Sequence, residues 1–119
     1  MTYEYETLAI DQQGAVLTAT ISNPPVNVMT AQLYQDLVQF TAAVEEDETV
    51  KVVVFQSADP DFFIAHFDVS LILTFPADSP PVKSEQLSDF HLMCERVRTM
   101  PKATIVKMAG RAEIGRAHV

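Results

Sequence analysis

Lys51-Val52-Val53-Val54-Phe55 is a lysine followed by an unbroken apolar run, without the alternation that marks a strand wet on one face. Such a run suits a strand covered on both faces, as in a parallel sheet within an α/β layer. A parallel neighbour needs a crossover, and the residues upstream supply one. Leu33, Leu37, Phe40 and Val44 recur at helical spacing and form one apolar stripe, with Thr30 placed to cap its start. The acidic run of Glu45, Glu46, Asp47 and Glu48 opposes the helix dipole and ends the helix. Strand, helix and buried strand in that order predict a right-handed crossover unit.

Working outward, residues 3–11 and 15–22 read as two strands around Gly14, which supplies the turn of a hairpin. Asn23-Pro24-Pro25 stops the second strand, because prolines remove donors and fix an extended path. Downstream, residues 57–61 are a loop by composition and residues 62–65 are apolar again. Asp68 is placed to cap a short helix through Leu73, and residues 76–81 form a Pro-rich break. Ser84 opens a second long helix with Leu87, Phe90, Cys94 and Val97 on one face, and Pro101 ends it. Residues 103–108 read as a further buried strand. The expected class is α/β, a sheet covered by helices.

Composition excludes several functions. A chain of 119 residues holds one small domain, and 48% hydrophobic with 20% charged residues is globular composition. Net charge is −8, with no Lys or Arg before Lys51, so the counterion-displacing field of a nucleic-acid binder is missing. Three glycines leave no phosphate-cradling loop, and the lone Cys94 gives neither a disulfide framework nor a metal cluster. Cys94 is expected to be a small core residue, and His91 a surface or half-buried structural one. The first residues carry no basic n-region, and the apolar runs are too short for a bilayer span; a soluble cytoplasmic protein is the expectation.

Three segments, in this order and spacing, resemble the enoyl-CoA hydratase/isomerase (crotonase-like) family. The loop Asn23-Pro24-Pro25-Val26-Asn27-Val28-Met29 is similar to the family's Pro-rich loop before its first helix. The apolar strand with Phe62-Phe63-Ile64-Ala65-His66-Phe67-Asp68 resembles the family's strand, loop and F-x-A-G-x-D motif. Met100-Pro101-Lys102-Ala103-Thr104-Ile105-Val106 and Met108-Ala109-Gly110 are similar to its later helix end, strand and glycine. The resemblance implies the N-terminal portion of a ClpP/crotonase spiral of ββα units, over residues 1–112.

It also implies a chemistry. Family members bind acyl-CoA thioesters, with no separate cofactor, and hold an enolate-like oxyanion on two backbone N–H groups. By the resemblance, Ala65 is the backbone oxyanion-hole donor, and Pro25, Val26, Ile64, His66, Phe67 and Asp68 line the acyl-CoA site. Asp68 would cap the helix after the motif. His66 departs from the pattern, which most often has Gly there. The family commonly assembles as homotrimers or hexamers. Neither the GGG-type turn of the second donor nor the acid/base Glu is found after Gly110, so the chain is expected to be inactive as it stands.

Residues 113–119 break from the pattern abruptly. Reverse-translated as GAG ATC GGA AGA GCA CAC GTC, they resemble a short-read sequencing adapter, and they are expected to be a non-native tail. Glu113 and His118 are therefore not candidate catalysts. Two alternatives remain open: a small regulatory binding module of STAS type, and a non-catalytic crotonase-like binder of CoA or a partner. A STAS module usually carries an Asp-Ser pair after a buried strand, whereas Ser57 is flanked by Gln56 and Ala58. A triad of Ser57, His66 and Asp68 is arithmetic only, since three such common residues occur together by chance.

Overall fold

A computed structural model describes residues 3–65 and 89–112, with Asp89 described for its backbone alone. The expected helix after Asp68, the break at residues 76–81, the helix start at Ser84, Leu87, and residues 113–119 lie outside the described residues.

The hairpin forms from β1 (Leu8–Gln13) and β2 (Val16–Ile21), antiparallel, with Leu8 opposite Ile21 and Gln13 opposite Val16. Gly14 turns the chain at φ 63°, a conformation that glycine adopts without steric penalty. The first strand is shorter than the expected 3–11. Thr7 interrupts the extended path by donating its N–H and hydroxyl to Asp36 Oδ2, at 2.9 and 2.6 Å. Tyr3 and Tyr5, ahead of it, pack edge-on against the Phe40 ring instead of pairing in the sheet.

Helix α1 (Ala31–Glu46) starts where its sequence says. The Thr30 hydroxyl accepts the Leu33 N–H at 3.2 Å, and Leu33, Leu37, Phe40 and Val44 are all buried. The chain then returns as β3 (Val52–Ser57), parallel to β2 with Leu17 beside Val53. Helix α2 (Asp89–Thr99) packs on α1 and leads to β5 (Ala103–Val106), parallel to β3. The four-stranded sheet runs β1-β2-β3-β5. A second, two-stranded parallel sheet joins β4 (Phe62–Ile64) to β6 (Arg111–Ala112). No helix among the described residues is long and apolar enough to cross a membrane.

The core lies between α1 and one face of the sheet: Leu17, Ala19, Ile21 and Val53 meet Leu33, Phe40 and Val44. Three expectations are corrected. Cys94 is exposed rather than in the core, and Phe90 is also exposed; Met93 and Met100 make the core contacts of this region. Of the expected stripe, Val97 is half-buried on the same side of α2 as Met93, whereas Phe90 and Cys94 face water. Residues 103–108 are not a buried strand: among the described residues β5 pairs with β3 alone, at the sheet edge, and Ile105, Val106 and Met108 are exposed. Of β3, Val53 alone is fully covered, while Val52 and Val54 on the opposite face are half-buried.

Candidate functional site

The β2–α1 loop and the end of β4 converge where the resemblance places the acyl-CoA site. Pro24–Pro25 is a cis peptide bond, and Asn27 stands in the left-handed region at φ 56°. Asparagine is among the few non-glycine residues that occupy this region readily. The Asn27 N–H donates to Asn23 O at 2.9 Å, which closes the loop on itself. Asn23 holds the loop to the helix, donating from Nδ2 to Val28 O and to the Thr30 hydroxyl at 2.9 and 3.0 Å.

The opposite wall is the β3–β4 loop. Ser57 Oγ accepts from Asp59 N at 2.9 Å and donates to Phe62 O at 2.7 Å, while Asp59 Oδ1 accepts the Asp61 and Phe62 N–H groups. These bonds fold residues 57–62 into a tight Asx-type turn and launch β4. Gly110 seals it from the far side. A Cβ there would stand 2.6 Å from the Asp61 carbonyl carbon and 2.7 Å from Phe62 N, so only glycine lets the β5–β6 connection pass this close. The Arg111 N–H then donates to Asp61 O at 2.9 Å, and its guanidinium lies 4.9 Å from the Phe62 ring centroid.

Between these walls is a depression of about 250 Å³, lined by Pro24, Pro25 and Asn27 on one side and Ala58, Asp59 and Pro60 on the other. Behind the Asp59–Pro60 wall a smaller one of about 150 Å³ is bounded by Gln56, Lys107 and Gly110. Pro25 is exposed and Val26 half-buried. Ile64 packs partly against the core. His66, Phe67 and Asp68 lie outside the described residues.

Ala65 requires a correction. It is brought to the loop as expected, but its N–H donates to Asn27 O at 3.2 Å, and the residue is buried. One amide hydrogen points one way, so an N–H committed to a loop carbonyl is not presented to a thioester oxygen. Sequence reasoning also passed over Asn27 and Ser57 as parts of the site. The available signal was an Asn after two prolines, a position suited to positive φ.

A family model described as enoyl-CoA hydratase/isomerase matches residues 11–117. The chain belongs to the enoyl-CoA hydratase/isomerase family. This membership sets aside the STAS-type alternative. Among relatives, the fatty acid oxidation complex subunit alpha of Aliivibrio fischeri is 30% identical over 101 residues, which are 84% of this chain and 14% of that protein. Among solved structures, a protein assigned as an enoyl-CoA hydratase from Streptomyces avermitilis matches with TM-score 0.69 at 34% identity, over 90% of this chain and 40% of the other. An enoyl-CoA hydratase from Bacillus anthracis matches with TM-score 0.70 over 88% of this chain and 40% of its own, at 18% identity, a likeness of fold. The chain thus has the crotonase fold of its family and spans well under half the length of the structures it matches.

Proposed function

We propose that the chain forms the first wall of an acyl-CoA thioester site in an enoyl-CoA hydratase/isomerase, and that it binds the thioester without turning it over. What supports the reading is the meeting of the Pro24–Asn27 loop with Ala65 in a chain of this family, beside an open depression. The oxyanion donor of the motif is then an amide that follows Ala65, since the Ala65 N–H is already engaged. The absence of turnover follows from the groups at hand. Asp59 is the one titratable side chain lining the depression among the described residues, and its Oδ1 holds the Asp61 and Phe62 amides in place. With one carboxyl oxygen so engaged and no second acid/base side chain lining the depression among the described residues, the paired proton transfer of a hydration has no partner here.

The test is a pair of measurements on the purified chain. Titration calorimetry with butanoyl-CoA and with CoA is expected to show tighter binding of the thioester. With 2-butenoyl-CoA, the ultraviolet absorbance of the conjugated thioester is expected to stay constant. Equal affinity for the two ligands defeats the oxyanion reading, and steady loss of absorbance defeats the reading of a non-catalytic wall.

A further inference from the structure

One buried residue links the β2–α1 loop, the ends of β2 and β3, and β4 at the candidate site. Asn27 is 2% exposed, and all its polar atoms are occupied. Its Oδ1 accepts the Asn23 N–H at 2.7 Å. Its Nδ2 donates to Ser57 Oγ at the end of β3 at 2.6 Å and to Phe63 O in β4 at 3.1 Å, with Ile21 O, at the end of β2, at 3.4 Å. Its carbonyl accepts the Ala65 N–H. The ends of β2 and β3, the middle of β4 and the first residue beyond β4 all meet on this residue.

We infer that Asn27 is the positioning residue of this site: its side-chain amide fixes β4 against the ends of β2 and β3, and its carbonyl fixes Ala65 against the loop. The inference deepens the acyl-CoA reading and rests on it. The residue type follows from the geometry. Glycine tolerates the positive φ but has no amide to give. Aspartate keeps the shape and the acceptor facing Asn23, yet it has no hydrogens for Phe63 O and would set a carboxylate against two carbonyl oxygens. Among common residues, asparagine alone combines a short donor-acceptor side chain with ready access to the left-handed region. The bonds are made out of water, so the amide's directional preference is not diluted by solvent exchange.

The test compares Asn27→Gly, Asn27→Asp and a control, Asp36→Asn, whose bonds run to Thr7 and Gln32 away from the site. Two quantities are read: hydrogen exchange at the Ala65 amide, corrected for global stability, and the affinity ratio of butanoyl-CoA to CoA. Both Asn27 variants are expected to speed Ala65 exchange about tenfold beyond the control, the loss of roughly one buried hydrogen bond. They are also expected to bring the affinity ratio to one while binding of CoA persists, and the control is expected to keep the ratio. Ala65 exchange that merely tracks global stability in all three variants overturns the inference, as does a thioester preference that survives in Asn27→Gly. If the unsubstituted chain shows no thioester preference, the acyl-CoA reading falls, and Ala65 exchange still decides whether Asn27 positions this turn. Should both Asn27 variants unfold, Ser57→Ala removes one acceptor of the amide and leaves Asn27 in place. A smaller rise in Ala65 exchange then supports the inference, and no rise overturns it.

Discussion

The two parts of the sheet are built from similar apolar sequence but are covered very differently. Around β2, α1 and β3, Leu17, Phe40 and Val53 have no exposed surface at all. Around α2 and β5, Phe90 is 48% exposed, Ile105 51% and Met108 58%. The first part encloses its own core: a helix lies across the sheet, and two tyrosines close over the Phe40 ring. The second part has apolar residues on surfaces that no described element covers. An apolar residue contributes to stability only through the area it loses to water, so equal hydrophobicity here means unequal weight.

The sharpest test of that contrast is a pair of phenylalanines. Phe40 is fully buried and makes edge-on contacts with Tyr3, Tyr5 and Phe55, at centroid distances of 5.8 to 6.0 Å. Phe90 touches the rings of Tyr34 and His91 but stays largely in water. Phe40→Ala is expected to destabilise by about 3–5 kcal/mol, a large share of the stability of a domain of this size. Phe90→Ala is expected to change stability by less than about 1 kcal/mol. Urea denaturation followed by circular dichroism measures both, and comparable losses would erase the distinction between the two parts.

The contrast also explains which features the sequence made legible. Thr30, the Leu33-to-Val44 stripe and Val53 were readable because cap chemistry and periodicity act locally, and a helix covers the sheet here. The same logic misplaced Cys94, Phe90 and β5. A pattern reports that residues are apolar, not whether another layer lies over them. The site was legible in outline: the Asn23–Met29 loop and Ala65 do come together. What the pattern could not give was direction. It located the Ala65 N–H without showing that Asn27 O takes it. It passed over Asn27 because that residue's partners lie 30 and 36 positions away, at Ser57 and Phe63.

A second experiment addresses the seam between the parts. Lys102, at the start of the less covered part, donates its Nζ to Asp47 O and Val50 O at 2.7 and 2.8 Å, just past the C-terminus of α1. A cation there adds a charged donor to the Asp47 carbonyl, which also accepts the Val50 N–H at 3.2 Å, and meets the negative end of the dipole. Lys102→Met keeps most of the stem and removes the charge, so the loss reports the bonds rather than the packing. It is expected to cost about 1.5–3 kcal/mol, the range for hydrogen bonds to a charged group. Arg96, 3.5 Å from Glu45 across the same seam, is a partly exposed pair, and Arg96→Ala should cost less than about 1 kcal/mol. Equal effects would mean that charge, not the two carbonyl bonds, holds the parts together.

The last test is a pH dependence, and it separates the parts by the quality of their carboxylates. Asp47 is buried, and its carboxyl is held down to about 2, first by the Thr49 hydroxyl at 2.6 Å and then by the Tyr3 hydroxyl at 2.5 Å. In the unfolded chain an aspartate titrates near about 3.9. Its folded value is the lower one, so as pH falls the unfolded state takes up the proton first. The contribution of Asp47 is therefore complete above about pH 4, declines between about 4 and 2, and is gone below that. In the other part, Glu95 is also held below its ordinary range by Arg98, but both side chains stand in water, where such a pair has little effect on folding. Acid unfolding of Asp47→Asn and Glu95→Gln beside the unsubstituted chain reads the difference, because all other carboxyls titrate alike in the three proteins. The stability gap between the unsubstituted chain and Asp47→Asn is expected to close as pH drops through that window, while Glu95→Gln follows the unsubstituted curve throughout. A gap that stays constant down to pH 2 would mean that the bonds to Thr49 and Tyr3 act through their geometry alone and not through the charge on Asp47.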